Sequence, residues 1–190
     1  LNDPRDKWNR RWRERLGDEL VADPWLLKII DLLPVGRSLD LACGRGRNAL
    51  ELARRGLTLT AVDCSEEALS QLTAAAAAEG LKVDCQRIDL ETQSPELGYD
   101  YDLVLCFFFL HRPLLPRMLE AVRPGGLVVL RTFSSAGSFP SSELNARFVL
   151  QPQELLSIFA GWEIVRHEEG LEASGKGGSL AGIIARKPLQ

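Results

Sequence analysis

The chain has 190 residues, 45% of them hydrophobic and 26% charged, and its 23 Lys and Arg against 26 Asp and Glu leave a formal charge of −3. Such values describe a globular chain long enough to bury its own core without disulfide or metal staples, so one domain over residues 1–190 is expected. They argue against a broadly basic nucleic-acid-binding surface, and the longest apolar run, the eight residues from Leu103 to Leu110, falls far short of the ~20 a membrane helix needs.

Residues 1–33 read as helical, with Trp8, Trp12 and Leu16 at i, i+4 and i+8 on one face and Arg10, Arg13 and Glu14 elsewhere. This Arg-rich start lacks the apolar core of a secretory signal, which makes the cytoplasm the expected compartment. Pro34-Val35-Gly36 breaks the segment. Strand and helix patterns then alternate. Ser38–Ala42 reads as a strand, Arg47–Arg55 as a helix closed by Gly56, and Leu57–Val62 as a second strand. Ser65 is placed to cap the next helix through the amide of Ala68, and the alanine run 74–78 carries that helix to Gly80. Leu81–Ile88 and Tyr101–Phe109 read as strands three and four, Leu114–Val122 as a helix, and Arg123-Pro124-Gly125-Gly126 as a turn into strand five, Leu127–Phe133. The longest loop-like stretch follows, Ser134–Ser142. Gln153–Phe159 reads as a short helix, and Trp162–His167 and Ser179–Arg186 as two strands with no helix between them, a hairpin. Apolar strands alternating with helices imply a doubly wound, mostly parallel α/β sheet of Rossmann-like type, with the hairpin making one edge antiparallel and residues 1–33 forming an N-terminal helical cap.

Four cysteines, Cys43, Cys64, Cys85 and Cys106, recur every 21 residues with unrelated flanks and no C-x-x-C pair. One cysteine per strand-plus-helix unit, all as reduced thiols, is the expected arrangement, and no metal site is expected.

The most informative stretch is Ser38-Leu39-Asp40-Leu41-Ala42-Cys43-Gly44-Arg45-Gly46-Arg47-Asn48-Ala49, a strand, a glycine turn and a helix start. Gly44 and Gly46 allow a ligand to approach the backbone and the amides of the helix start. Asp63 ends strand two, nineteen residues after Gly44, where a carboxylate can accept both hydroxyls of a ribose, and Asp89 ends strand three at the same rim. Glycines alone fit a nicotinamide dinucleotide as well. Asp40 separates the ligands: it would repel a pyrophosphate and attract a sulfonium or ammonium, by ~3–4 kcal/mol at ~4–5 Å and an effective dielectric near 20.

LDLACGRGRNAL, Asp63, the Asp89-Leu90 pair and the RPGG turn together resemble the class I S-adenosylmethionine (SAM)-dependent methyltransferases. Trp8-Asn9-Arg10-Arg11-Trp12, Gly161-Trp162-Glu163 and the final Ala185-Arg186-Lys187 are similar to the tellurite-resistance and thiopurine-type small-molecule branch. The resemblance implies a seven-stranded sheet with SAM held at the glycine turn, among Asp40, Cys43, Gly44, Gly46 and Asn48. It implies that Asp63 binds ribose and that Asp89-Leu90 lies beside adenine. Trp8, Arg11 and Trp12 would form a lid, with Arg11 near the methionine carboxylate. The stretch from Thr132 to Arg147 departs from the tellurite-resistance pattern, so no acceptor is carried over.

The chemistry implied is an in-line displacement in which a small-molecule nucleophile (S, Se, Te or N) takes the methyl group, and the protein's task is alignment and exclusion of water. His111, after strand four, is the candidate base and Arg131, in strand five, the candidate anchor for an anionic acceptor. Phe107, Phe108 and Phe109 are placed to wall the pocket around the methyl group, with alternation making at least one of them plain core; Cys43 and Cys64 are expected to pack beside the cofactor without attacking anything. Methylation of RNA or protein is an alternative, favoured by the six basic residues and two tryptophans of Arg5–Arg15 and opposed by that segment's amphipathic helical pattern. A SAM-binding regulatory module without turnover is another, and a NAD-dependent oxidoreductase is disfavoured by Asp40. A monomer or homodimer is expected.

Overall fold

The computed structural model describes residues 4–91, 95–139, 145–175 and 177–189. A seven-stranded sheet forms the frame, built from β1 (Arg37–Leu41), β2 (Thr58–Asp63), β3 (Val83–Arg87), β4 (Tyr101–Phe107), β5 (Val122–Ser134), β6 (Glu163–Ala173) and β7 (Ser179–Arg186). The order across the sheet is β3-β2-β1-β4-β5-β7-β6, with β1 to β5 parallel and β7 antiparallel to both its neighbours. From β1 the chain winds outward to β3, then returns to β4 on the other side. The strand order therefore reverses between β1 and β4, and ligands of such sheets bind outside the carboxyl ends of the strands at that point.

The antiparallel C-terminal strand is present, one place in from the edge. β7 reads Ser-Leu-Ala-Gly-Ile-Ile-Ala and is buried along its length except at Arg186, so it needs a strand on each side and cover on both faces. β6 carries Glu163, Arg166, His167, Glu168, Glu169 and Glu172 and tolerates the edge.

Alternation along the strands fills two layers. On one face Leu39, Leu41, Val104, Cys106, Val128, Leu130 and Ile183 meet α5 (Leu115–Ala121) and α6 (Glu154–Ile158) through Met118, Leu155 and Phe159. On the other, Leu59, Ala61, Leu103, Leu105, Phe107 and Val129 meet α2 (Pro24–Ile29), α3 (Arg47–Arg54) and α4 (Glu66–Ala78). Ser65 caps α4, its hydroxyl accepting from the Ala68 N–H at 3.1 Å.

The expected helical cap is present over the described residues 4–33 as separate short helices. α1 spans Pro4–Arg13 and α2 begins at Pro24, with Gly17 in the left-handed region between them and Leu16 72% exposed. The apolar face that Trp8 and Trp12 begin does not extend to Leu16, because the helix has ended. Asp23 starts α2 afresh, its carboxylate accepting from the Trp25 N–H at 3.0 Å ahead of Pro24 at the first helical position. Trp25 is fully buried, and a side chain on Gly182 of β7 would collide with it at 2.8 Å. No helix among the described residues is long and apolar enough to cross a membrane.

Candidate active site

Asp40 lies between Leu39 and Leu41, whose side chains enter the α5/α6 layer, so alternation turns its carboxylate to the face of α3 and α4. It is 2% exposed, and among the described residues its Oδ2 has no hydrogen-bond partner. Burial, and then the neighbouring Asp63 carboxylate, push its pKa up to about 7 against a weaker opposing pull from Arg47. A buried carboxylate oxygen without a partner is costly by itself and stabilised by an arriving cation or donor.

The turn that follows carries three left-handed residues, Ala42 at φ +54°, Gly44 at +55° and Gly46 at +77°. Asp63 holds it in place: its Oδ2 accepts from the Gly44 N–H at 2.8 Å and its Oδ1 from the Ser65 N–H at 2.9 Å. Burial keeps this carboxyl above its ordinary pKa despite these bonds and those from the Cys64 N–H and thiol. The two glycines serve different ends. A side chain at Gly46 would run into Leu72, so this glycine lets α3 start against α4, whereas one at Gly44 would meet the Trp12 indole at 3.1 Å. Gly46 therefore has a packing role where the sequence suggested a ligand contact, and Gly44 faces the site.

α1 lies over the turn. Trp8 and Trp12 stack at 6.1 Å with an interplanar angle of 20°, and the Arg11 guanidinium lies over both rings, 4.9 Å and 5.5 Å from their centres. Asn9 Oδ1 accepts from the Ser65 hydroxyl at 2.7 Å and the Glu67 N–H at 3.2 Å, and Gln71 donates to the Trp12 carbonyl at 3.0 Å. The Trp12 Nε1 is buried without a partner among the described residues. Burial and the neighbouring Arg15 lower the Arg11 pKa, so an incoming carboxylate would be welcome beside it. With its aromatic face stacked and set on Gly44, this basic segment is engaged with the domain itself, which weighs against its use as a base-stacking platform for RNA.

The other sequence-predicted residues are distributed along the same rim. Asp89 lies two residues past β3, with its Oδ1 accepting from the Glu91 N–H at 3.0 Å, and Leu90 is buried in the α5/α6 layer. Cys43 follows β1 and Cys64 follows β2; burial is the main cause that raises both thiols, Cys64 to about 12, and neighbouring carboxylates add to it. They stay protonated near neutral pH and make poor nucleophiles. Asn48 is buried with its Oδ1 accepting from the Asp23 N–H at 2.9 Å, so it anchors the start of α2. Phe107 packs on Trp25 at 6.2 Å as core, and the residue that opens toward solvent is its neighbour Phe108. His111 is half-buried three residues beyond Phe108, where its carbonyl accepts from the Leu114 N–H at 2.9 Å.

Arg131 is not the free anchor expected of it. It is 4% exposed, stacked over Trp25 at 5.0 Å, with Glu172 at 2.7 Å and Asp23 at 3.6 Å. Its charge is already opposed by two carboxylates, which leaves little of it for an anionic acceptor.

A profile of the tellurite resistance protein TehB family matches residues 23–178. The chain belongs to this family. A probable S-adenosyl-L-methionine-dependent methyltransferase TehB of Haemophilus influenzae is 28% identical over 138 residues, 70% of this chain and 48% of that protein. Hemagglutinin 1 of Eikenella corrodens is 30% identical over 142 residues, 71% of this chain and 46% of that protein. The chain thus spans about half the length of the curated relatives it matches. The crystal structure of TehB from Haemophilus influenzae superposes with a TM-score of 0.80 at 20% identity, over 95% of this chain and 67% of that one, a likeness of fold.

Several residues that build this TehB-family site carry no signal in the sequence. Asp23 is a hub, capping α2, accepting from Arg47 at 3.0 Å and facing Arg131. Arg112 pairs through two nitrogens with Glu154, at 2.6 Å and 2.8 Å, and donates to the carbonyls of Arg147 and Val149, clamping the returning chain beneath the rim. Gly137 and Gly170 pack backbone to backbone, pinning the segment after β5 to β6. Part of that segment, residues 140–144, lies outside the described residues. Among the described residues no three His, Cys, Asp or Glu side chains come together in a group that could hold a metal.

Proposed function

We propose that this chain is a SAM-dependent methyltransferase acting on a small-molecule acceptor in the cytoplasm. The observation that carries the reading is Asp40: a buried carboxylate, its Oδ2 unpartnered, at the switch point of the sheet and beside a glycine turn. Such a site favours a ligand that brings positive charge and disfavours one that brings a pyrophosphate.

When bound, SAM supplies a methyl group already activated on a sulfonium. The residues fit it. Asp40 would hold its positive end, Asp63 would accept the ribose hydroxyls, and Asp89 with Leu90 would border the adenine. Arg11 would meet the methionine carboxylate while Trp8 and Trp12 close the site from water. Alignment and water exclusion of this kind are worth up to ~7–11 kcal/mol. His111 stands at the acceptor end of the rim, where an imidazole can take a proton from an acceptor that carries one.

Melting curves with SAM, S-adenosylhomocysteine and NAD test the reading. A ligand present at 100 times its Kd stabilises the folded chain by ~2.7 kcal/mol, or ~5–10 °C at this length. Shifts with the first two and none with NAD are expected; a shift with NAD alone would overturn it.

A further inference from the structure

Two arginines flank the second glycine of the turn, and each is held by the segment that joins α1 to α2. Arg45 donates through Nη2 to the Asp18 carbonyl at 2.8 Å, and its buried Nε has no partner among the described residues. Arg47, the first residue of α3, donates through Nη2 to Asp23 Oδ2 at 3.0 Å, with its guanidinium 5.6 Å from the centre of the Phe108 ring. A cation at that position faces the positive end of the helix dipole, so α3 itself offers it no favourable place and a carboxylate has to answer it.

Two buried carboxylates compete for it. Asp40 is close enough to feel the Arg47 charge, which pulls against the rise that burial and Asp63 impose on it. The bond nevertheless goes to Asp23, and Asp40 Oδ2 has no partner among the described residues. Asp23 is fixed independently of Arg47: its N–H donates to Asn48 Oδ1 at 2.9 Å, its Oδ1 accepts from the Trp25 N–H at 3.0 Å, and Arg131 Nε of β5 lies 3.6 Å from that oxygen. Arg131 is answered in turn by Glu172 of β6, which also pairs with Lys28 of α2. Around Asp40 stand Asp63 of β2, the Cys43 thiol of the turn and the Cys106 thiol of β4. Arg47 is thus the cation placed to quench Asp40.

We propose that Asp23 is a positioning residue of the cofactor site: by holding the Arg47 guanidinium it keeps that cation from neutralising Asp40, and so preserves the negative charge that receives the positive end of the methyl donor. The proposal rests on the methyltransferase reading and adds to it a residue that acts through another. The other duties of Asp23 do not demand its charge. Asn caps a helix as well as Asp does, and Glu172 still answers Arg131. Retention of Arg47 is what the carboxylate alone supplies.

The test is calorimetry of SAM binding across pH 5–9 on the parent, Asp23→Asn and Asp23→Asn combined with Arg47→Gln. Asp23→Asn frees Arg47 to pair with Asp40, so SAM should bind about tenfold more weakly at pH 8. The pH below which affinity declines should also drop under the parent's value of about 7, because a paired carboxylate gives up its proton more readily. Removing the cation as well, with Arg47→Gln, should return the affinity at pH 8 to within about threefold of the parent's and bring the decline back to about 7 or above. A merely structural Asp23 would cost affinity without moving the pH profile, and the second substitution would restore nothing. Either result overturns the proposal, as does full affinity in Asp23→Asn. If Asp23→Asn does not fold, Asp23→Ser, which also caps, carries the same comparison. A parent chain that takes up no SAM at any pH would instead overturn the methyltransferase reading beneath it.

Discussion

Replacing Asp40 by Asn should make the chain more stable and a poorer cofactor binder at the same time. In the folded state this carboxyl ionises at about 7; in the unfolded chain it does so at ~3.9. Below pH ~4 both states hold the proton and the group does not affect stability. Between ~4 and ~7 the unfolded chain has released its proton and the folded one has not, so stability falls as pH rises, and above ~7 the penalty is complete at ~4 kcal/mol. Asn has nearly the same shape and cannot ionise, but it leaves a buried amide to satisfy at ~1–2 kcal/mol. The net gain at pH 8 is ~2–3 kcal/mol, a rise of ~5–10 °C in melting temperature for this length, and it should narrow steadily toward pH 5. The same substitution removes a charge-assisted contact to the donor worth ~1.5–3 kcal/mol, or ~10–150-fold in Kd. SAM affinity of the parent should also weaken below pH ~7 as Asp40 takes up its proton, while the variant's stays flat. Urea denaturation across pH 5–8 and calorimetry at each pH measure both effects. A variant less stable than the parent at pH 8, or one that binds SAM equally well, would refute the idea that Asp40 is held at a stability cost for the sake of a cationic ligand.

Three further substitutions separate the parts of the site. Ala42→Gly relieves a left-handed alanine at φ +54° and should stabilise the chain by ~0.5–1 kcal/mol in urea; a loss of stability would show that the Ala42 methyl, which packs on the core, outweighs the backbone. Gly46→Ala meets Leu72 and a φ of +77° and should cost ~2–4 kcal/mol, of which Leu72→Ala in the same chain restores ~1–2 kcal/mol through coupling; strict additivity would mean that contact does not set the position of the turn. Asn9→Ala removes the acceptor shared by Ser65 and Glu67 and should raise the SAM dissociation rate by ~5–30-fold in stopped-flow mixing, from ~1–2 kcal/mol of lost lid anchoring. An unchanged rate would leave α1 as packing alone.

The strand ends and the turn of the proposed donor site were legible because their signals are local. A carboxylate at a strand end, a glycine turn and a second carboxylate one unit later lie on consecutive elements of a parallel sheet, and such a sheet brings consecutive strand ends to one rim. Ser65 capping α4 through Ala68 needed only neighbouring residues to foresee. The division of labour between the glycines was not legible, since Gly44 and Gly46 differ only in what lies opposite them, the Trp12 ring and Leu72. Arg131 read as an anchor for an anion because it lies in β5, whose end forms the rim; alternation turns it inward onto Trp25, where Asp23 and Glu172 claim it. Leu16 misled because a helical period shows which residues would share a face and says little about where the helix stops.

Strand and helix periodicity, the caps and the breakers determined the α/β class, most element bounds and the three acidic strand ends from the sequence by itself, since each depends on residues a few positions apart. Tertiary structure alone decided that β7 lies inside the sheet, that α1 folds back on the glycine turn and that Asp23 gathers two arginines. Those outcomes depend on partners brought together from far along the chain, 56 residues for Asn9 with Ser65 and 143 for Trp25 with Glu168, and no local pattern encodes which distant group will answer a buried charge or fill a gap in the core.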